Sequence, residues 1–254
     1  MIRAIFNWIA IAFYTIAIGV PATIVSLVFP GVVLRFFVRP WCKLILWTCG
    51  VKLKVEGADN LPKGPCVIMF NHQSYFDIFA FASALPMDWR AVMKRELGRI
   101  PFFGWVAKAT GHYFIRRDAS VSSMREVEGI AERIRSGGHS VLIAPEGTRS
   151  VDGSLGEFKP GGFVLALRAR VPVVPMVIMG GKDVMRSGSL RINPGVMRIV
   201  FLPPIDTGSM PKGRAGRGRL SGAVREAMER VLDDERGVKP EGGVGERMSG
   251  SAYN

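Results

Sequence analysis

A histidine and an aspartate five positions apart are the first candidates for chemistry in this sequence. They are His72 and Asp77 of the segment NHQSYFD, which follows an apolar segment predicted to be a strand and precedes a predicted helix. Residues five apart on one helix point about 140° away from each other. These two side chains can therefore meet only if His72 lies in the turn before the helix. A carboxylate that binds an imidazole fixes its tautomer and leaves the other ring nitrogen free to accept a proton from an alcohol.

The same segment has a second interpretation, which the spacing leaves open. Ser74 and Asp77 match a helix capping box, in which Asp77 is a structural cap and His72 is a loop residue. The catalytic interpretation offers the pair no protein nucleophile, because the sequence has no GxSxG segment and no cysteine beside His72. It predicts instead a general base that lets a substrate hydroxyl attack a thioester directly.

A short polar segment after another predicted strand is the second candidate site. This segment, EGTRS, has a glycine that lets the backbone approach an anion, hydroxyls that donate, and a guanidinium that can bind two phosphate oxygens at once. A solvated turn with an arginine at its rim would have the same composition. The functional interpretation is a phosphate clamp, to which a lysine farther along adds a second cation. Its candidate residues are Glu146, Gly147, Thr148, Arg149 and Lys159.

Short apolar segments alternate with helical patterns after about Val51, which is typical of an α/β domain. We predict a mixed sheet flanked by helices. The clearest helix begins at Ser123, where Ser123 and Glu126 form a capping-box pattern, and stops at Gly137. The predicted strands are 66–70, 89–94, 113–115, 141–145, 173–179 and 197–202.

A long apolar segment near the N-terminus is typical of a membrane anchor. No charged side chain lies between Arg3 and Arg35, and one helix over that stretch would be about 45 Å long, beyond the roughly 30 Å hydrocarbon core of a bilayer. Pro21 and Pro30 interrupt it, so we predict a bent or two-helix anchor. A buried pair of core helices is the alternative. The tryptophans and cations that favour a membrane interface are Trp8, Trp41, Trp47, Arg35, Arg39 and Lys43.

The formal net charge of +13 predicts an anionic partner. The basic stretch 212–219 has no aromatic residues for base stacking, so we predict a solvated loop that contacts acidic lipid, and no nucleic acid. The three cysteines have no CxxC spacing, and we predict neither a disulfide nor a metal site. His112 and His139 are predicted to be surface or packing residues. The basic residues that follow the apolar segment predict a cell-membrane protein whose catalytic domain is cytoplasmic.

Four ordered segments resemble the glycerolipid acyltransferase family, which includes the 1-acylglycerol-3-phosphate acyltransferases. The family's NHxxxxD and EGTR segments are matched at 71–77 and 146–149. Its GxxFIxR segment is matched at 111–117 and ends in Arg117, and its VPxxPV segment is matched at 171–176, with Met176 in place of the usual valine. The resemblance covers about residues 51 to 205.

The resemblance implies transfer of a fatty acyl group to the sn-2 hydroxyl of 1-acylglycerol 3-phosphate, which forms phosphatidic acid. By the same resemblance, His72 and Asp77 act as the general base, while Arg117 and the EGTR residues bind the acceptor phosphate. No cofactor is implied, because acyl-CoA or acyl carrier protein is the acyl-donor substrate. Membrane lipids and a lysophospholipid acceptor are the expected partners, and the oligomeric state stays open.

Two alternatives remain at this point. One is an acyltransferase for another acceptor, either glycerol 3-phosphate or a different lysolipid, and the other is a non-catalytic lipid-binding membrane protein. A hydrolase of the thioesterase type is less favoured, because no nucleophile is visible. For any of them we expect a helical anchor at 1–50, a catalytic domain at 51–235 and a mobile C-terminal tail at 236–254.

Overall fold

The computed structural model describes residues 2–115 and 121–237, without the side chains of residues 121–124. Arg117 and nearly all of the predicted tail lie outside the described residues. The strands are β1 (Val51–Glu56), β2 (Val67–Phe70), β3 (Trp89–Lys94), β4 (Tyr113–Ile115), β5 (Ser140–Ile143), β6 (Val173–Met179) and β7 (Gly195–Phe201). The α-helices are α1 (Ile2–Ser26), α2 (Pro30–Val33), α3 (Arg39–Thr48), α4 (Phe76–Ala84), α5 (Phe103–Ala109), α6 (Val121–Gly137), α7 (Pro160–Ala169), α8 (Gly181–Val184) and α9 (Gly213–Arg236). A π-helical turn at Leu34–Val38 joins α2 to α3, and 3-10 turns lie at Ala58–Asn60 and Arg95–Arg99.

The strands form one sheet in the order β1-β7-β6-β2-β5-β3-β4. β6 and β7 pair antiparallel and the other pairs within the sheet are parallel, so the sheet is mixed, as predicted. Because β2, β3, β5 and β6 run in the same direction, their carboxyl ends lie at one edge, where ligands of open α/β sheets bind. The turns that follow these four strands can therefore meet.

The predicted strands agree closely with the structure, apart from one omission. β3, β4 and β6 have the predicted bounds, while β2, β5 and β7 differ by one or two residues at their ends. The omission is β1, whose sequence VKLKVE alternates apolar and charged residues. An edge strand often carries lysines on its exposed face, and those charges hide the apolar signal that marks the central strands.

Helices cover both faces of the sheet and complete two core layers. On one face, α3 and α4 pack on the sheet and bury side chains such as Ile45, Phe76 and Phe81. On the other face, α6, α7 and α9 bury side chains such as Ile134 and Phe163. The site edge of the sheet is thus fixed between two packed layers.

The predictions for two surface helices need correction. α6 begins at Val121, so Ser123 lies inside the helix and does not cap it, and Glu126 pairs with Arg95 at 2.6 Å. The basic stretch 212–219 is the beginning of α9, which is held by buried residues four apart further along the helix, and is not a loop. At Gly216, an added Cβ would overlap the Pro211 carbonyl, so the glycine that indicated a loop permits a close backbone contact instead.

The N-terminal segment forms separate helices, as the two-helix prediction requires. α1 continues through Pro21 and ends at Ser26, and Pro30 is the first residue of α2, so only the second proline marks a break. α1 is long and apolar enough to cross a membrane by length and composition, and 17% of its apolar window is buried. α3 differs, because Cys42, Ile45 and Leu46 are buried in the core layer beside α4.

Candidate active site

The turn after β2 is fixed to its neighbouring strand by an asparagine side chain. Asn71 Nδ2 donates to the carbonyl of Ile178 at 2.9 Å, and Asn71 Oδ1 accepts from the amide of Ile178 at 2.7 Å. This side chain takes the place of a backbone pair between β2 and β6. It ends the strand and lets the chain turn at His72, which is the geometry that the catalytic interpretation requires.

His72 and Asp77 form a hydrogen-bonded pair. His72 Nδ1 lies 2.8 Å from Asp77 Oδ2, and the Asp77 carboxylate is fully buried. The same oxygen accepts the backbone amides of Gln73 at 2.7 Å and Ser74 at 2.8 Å. Asp77 therefore closes the first turn of α4 and orients the imidazole at once, so both interpretations of the segment hold. Because a carboxylate can only accept, neutral His72 carries its proton on Nδ1 and presents Nε2 as a base.

Glu146 connects the phosphate-clamp segment to the histidine turn. Its Oε1 accepts the His72 amide at 3.1 Å, and its Oε2 accepts the Gly156 amide at 2.8 Å. The carboxyl is 3% exposed, and burial raises its pKa above the usual glutamate value. The Ser150 amide also donates to the His72 carbonyl at 2.7 Å. Both oxygens of Glu146 thus bind backbone, which makes it a residue that positions His72.

Arg149 lies beside the histidine turn with unused hydrogen-bonding capacity. Its guanidinium carbon is 3.8 Å from the centroid of the Tyr75 ring, a cation–π contact that holds the group flat on the ring. Nη1 is buried, and no group among residues 2–115 and 121–237 accepts its hydrogen bonds. A buried guanidinium N–H group without an acceptor is costly unless a ligand supplies one. Gly147 has a φ of +70°, the left-handed conformation that lets this turn form, and Thr148 is exposed.

The side chain of Lys159, a predicted phosphate ligand, is exposed and pairs with a neighbouring carboxylate. The Lys159 side chain is 62% exposed, and its Nζ lies 3.3 Å from Glu157 Oε2. Its backbone amide donates to the Pro145 carbonyl at 2.7 Å, so the backbone of Lys159, and not its charge, supports the turn. Arg117 lies outside the described residues.

An apolar cavity begins at His72 and extends beneath the N-terminal helices. Its wall includes Phe70, Phe81 and Leu142 of the catalytic core, and Ile18 of α1. Trp41, predicted to lie at a membrane interface, also lines it and packs edge-on against Phe79 at 5.3 Å. Further lining residues that the sequence analysis missed are Lys94, Leu97, Phe102, Phe103 and Val106. The anchor segment is therefore a structural part of the site, because its helices close the cavity that opens at the base.

Comparison with known proteins agrees with this geometry. Residues 52–179 match the family described as Acyltransferase. This chain belongs to that acyltransferase family. The 1-acyl-sn-glycerol-3-phosphate acyltransferase of Pseudomonas aeruginosa is 32% identical over 203 residues, which cover 78% of each chain. The yeast protein of the same name is 30% identical over 187 residues, which cover 73% of this chain but only 61% of that protein.

A solved structure shows the same fold as this acyltransferase. The crystal structure of the 1-acyl-sn-glycerophosphate acyltransferase of Thermotoga maritima superposes with a TM-score of 0.77 at 22% sequence identity. The match covers 91% of this chain and 95% of that chain. The shared architecture therefore includes the N-terminal helices as well as the sheet.

A glycine at the start of α8 contacts the catalytic pair of this acyltransferase. A Cβ added at Gly181 would lie 2.5 Å from Asp77 Oδ1 and 3.2 Å from Ser74 Cβ. Asp77 Oδ1 is buried, and within the described part of the chain no donor reaches it. The sequence analysis missed Gly181, because the residue is 104 positions from Asp77 and becomes its neighbour only through the pairing of β6 with β2.

The cysteines and the remaining histidines are packing residues, of which Cys42 and His112 also line the apolar cavity. All three cysteines are buried and free, and burial raises the pKa of Cys66 to about 11, which keeps it a thiol. His112 stacks on Trp89 at 5.1 Å, and His139 lies 2.7 Å from the Tyr113 hydroxyl, so both are packing residues. In the described ranges, no three His, Cys, Asp or Glu side chains are grouped as metal ligands would be.

Proposed function

We propose that this acyltransferase transfers a fatty acyl group from an acyl thioester to the sn-2 hydroxyl of 1-acylglycerol 3-phosphate, forming phosphatidic acid for phospholipid biosynthesis. The observation that carries the proposal is the position of the His72–Asp77 pair, between an apolar cavity and a buried guanidinium nitrogen that has no acceptor among the described residues. Relatives in bacteria, yeast and plants that bear the name 1-acyl-sn-glycerol-3-phosphate acyltransferase support the same acceptor.

The reaction requires one base and no covalent intermediate. His72 Nε2 takes the proton of the acceptor hydroxyl as its oxygen attacks the thioester carbonyl. The carbon–oxygen bond forms, the carbon–sulfur bond breaks, and the departing sulfur takes the proton from the imidazolium. Asp77 stabilises that imidazolium through the 2.8 Å contact at Nδ1. Ser74, the hydroxyl closest in sequence to the base, donates instead to the Met185 carbonyl at 2.7 Å, so it is not a nucleophile.

Arg149 binds the phosphate of the acceptor in this proposal. A phosphomonoester offers several oxygens, and a guanidinium can bind two of them at once. The ring of Tyr75 holds the guanidinium beside the histidine turn, and the Ser150 amide ties the segment to His72. The acceptor's headgroup is thereby held while its free hydroxyl lies at Nε2.

The acyl donor is a substrate, and no cofactor is needed. Acyl-CoA and acyl carrier protein present the same thioester to the base, so both are candidate donors. The fatty acyl chain occupies the apolar cavity, whose walls include Phe81 and Trp41. A hydrocarbon chain has no polar groups, so its binding free energy comes from the burial of its apolar surface in this cavity.

We infer that the N-terminal helices hold the catalytic domain at the cell membrane, on its cytoplasmic side. α1 is held at two points: the Arg3 guanidinium donates to the Cys49 carbonyl after α3 at 3.1 Å, and the backbone of Gly19 lies against Phe102, just before α5. These contacts are separated by about 24 Å of helix. A helix that is bound to the domain over this length lies along it, so we propose that α1 lies in one leaflet, with its exposed apolar face in the lipid.

The deciding experiment supplies purified protein with labelled acyl-CoA or acyl carrier protein and a panel of acceptors. We expect labelled phosphatidic acid from 1-acylglycerol 3-phosphate, and little product from glycerol 3-phosphate or zwitterionic lysolipids. A faster reaction with one of those acceptors would replace the proposed substrate. A labelled acyl group that remains on denatured protein after donor alone is added would contradict direct transfer.

A further inference from the structure

Exposed apolar side chains continue from α1 onto the catalytic domain. Beyond the N-terminal helices, large hydrophobic side chains are exposed at only a few of the described positions. Three of them, Ile100 at 46%, Trp105 at 49% and Leu190 at 72% exposure, lie in segments that contact α1. We call these three residues the lateral patch.

The lateral patch adjoins α1 at two points. The indole of Trp8 donates to the Leu190 carbonyl at 2.8 Å. Farther along α1, Gly19 lies against Phe102, whose ring packs edge-on against Trp105 at a centroid distance of 5.2 Å. The two points are about 16 Å apart along the helix. Trp8 and Gly19 point in nearly the same direction on the helix, so the patch lies along one flank of α1 at two points of its length and is not an isolated feature.

Exposed basic residues flank the lateral patch in the sequence. Arg99 and Lys108 are exposed in the segment that contains Ile100 and Trp105, and Arg186 and Arg191 are exposed around Leu190. Apolar side chains with cations beside them are typical of surfaces that insert into the headgroup region of anionic membranes. The strongly positive net charge of the chain also favours an anionic surface.

The same segment also forms a wall of the apolar cavity. Leu97, Phe102, Phe103 and Val106 line the cavity, whereas Ile100 and Trp105 do not. One side of this segment thus faces the acyl chain, and the other carries the lateral patch. A lipid surface at the patch would lie beside the cavity wall.

We propose that the lateral patch is a second bilayer contact, which inserts beside α1 into an anionic lipid surface and holds the cavity wall at the level of the lipid acyl chains. The proposal rests on the membrane attachment proposed above. It adds that the catalytic domain itself enters the membrane interface. The domain then contacts the bilayer directly and is not attached to it through α1 alone.

Site-specific fluorescence tests the contact. The variants Ile100→Cys, Trp105→Cys and Leu190→Cys each introduce one exposed cysteine, which is labelled with an environment-sensitive dye. The labelling is selective because the native Cys42, Cys49 and Cys66 are buried. Phe13→Cys reports on α1, and Val151→Cys, at a position that is 63% exposed, is the matched control on the catalytic domain. The intact protein is then reconstituted in phosphatidylglycerol–phosphatidylcholine vesicles.

We expect the dyes at 13, 100, 105 and 190 to shift to shorter emission wavelengths and to be quenched by spin-labelled lipid, while the dye at 151 stays accessible to aqueous iodide. If the patch positions behave like 151 while 13 enters the lipid, the second contact is refuted and the anchor stands. If 13 also remains in water, the proposed membrane attachment fails as well.

Activity provides an independent measurement. In the double variant Ile100→Ser/Trp105→Ser, turnover of acceptor in anionic vesicles should fall several-fold, whereas turnover of the same acceptor in detergent micelles should match wild type, because neither residue lines the cavity. Equal activity on vesicles would contradict the proposal. An equal loss in micelles would show that the two residues act on the fold or the cavity and not on the bilayer.

Discussion

Gly181 offers a sharp test of the catalytic geometry, because it contacts Asp77 without taking part in the chemistry. Its backbone is not in the left-handed region, so alanine can adopt the same conformation. The cost of Gly181→Ala is therefore steric. The new Cβ would lie 2.5 Å from Asp77 Oδ1, whose partner oxygen is held by three hydrogen bonds and cannot swing away freely.

The structure sets the size of the effect. The methyl group and Oδ1 must separate by at least about 0.9 Å to reach an ordinary contact, and Asp77 carries His72 with it. A misplacement of about 1 Å at a catalytic group can cost 100-fold in rate. We therefore expect kcat to fall by about 10- to 100-fold, which corresponds to about 1.4–2.7 kcal/mol in the activation barrier. The KM for donor and acceptor should change little, because Gly181 touches neither the cavity nor Arg149.

Steady-state kinetics with thermal unfolding would check this expectation. Gly129→Ala in α6 is the matched control, since an added Cβ there meets no atom within 4 Å. The control should keep wild-type kcat and gain slightly in stability from the better helix propensity of alanine. If folded Gly181→Ala retained wild-type kcat, the contact with Asp77 would not position the base.

Further predictions concern the base, the phosphate ligand and pH. His72→Ala and Asp77→Ala should each lower kcat by about 100-fold or more with the fold intact, and the double variant should lose little beyond either single one; additive losses would show that the residues act separately. Arg149→Ala should lower kcat/KM for the phosphorylated acceptor by about 10- to 100-fold, with Arg149→Lys intermediate, and leave acceptors without phosphate nearly unaffected; an equal loss for every acceptor would mean a structural role. Burial lowers the pKa of His112 from 6.5 to about 3, so between those values the unfolded chain binds a proton that the folded chain does not, and stability should fall as the pH drops through this window. His112→Phe should flatten that decline in the melting temperature, and an unchanged profile would assign it to other groups.

Local spacing was sufficient to predict how His72 and Asp77 can meet, whereas their catalytic role was implied by the family resemblance. His72 and Asp77 lie on a strand-turn-helix unit, and their distance depends only on where the strand ends and the helix begins. The apolar segment before Asn71 marks the end of the strand, and the polar segment after it marks the turn before the helix. The same argument placed the EGTR segment at the end of β5, and the direction shared by β2 and β5 brought both segments to one edge.

The other contacts of the site depend on long-range pairing, which spacing does not encode. Glu146 was predicted as part of the phosphate clamp, yet its two oxygens bind the amides of His72 and Gly156, because the packed sheet presents those amides to it. Lys159 has the charge for a phosphate site, but the course of the chain places its Nζ beside Glu157 at the surface.

The sequence by itself therefore predicted the class of protein, through its resemblance to a family. It also predicted the candidate base and the order of the site segments, because those depend on short-range chain geometry and on residue types. The tertiary structure decided which side chains surround that base. Gly181 approaches Asp77 only after β6 pairs with β2, and Trp41 becomes a cavity wall only after α3 packs on α4. Burial and packing are properties of surfaces that come together from distant parts of the chain, so they appear only when the whole domain has folded.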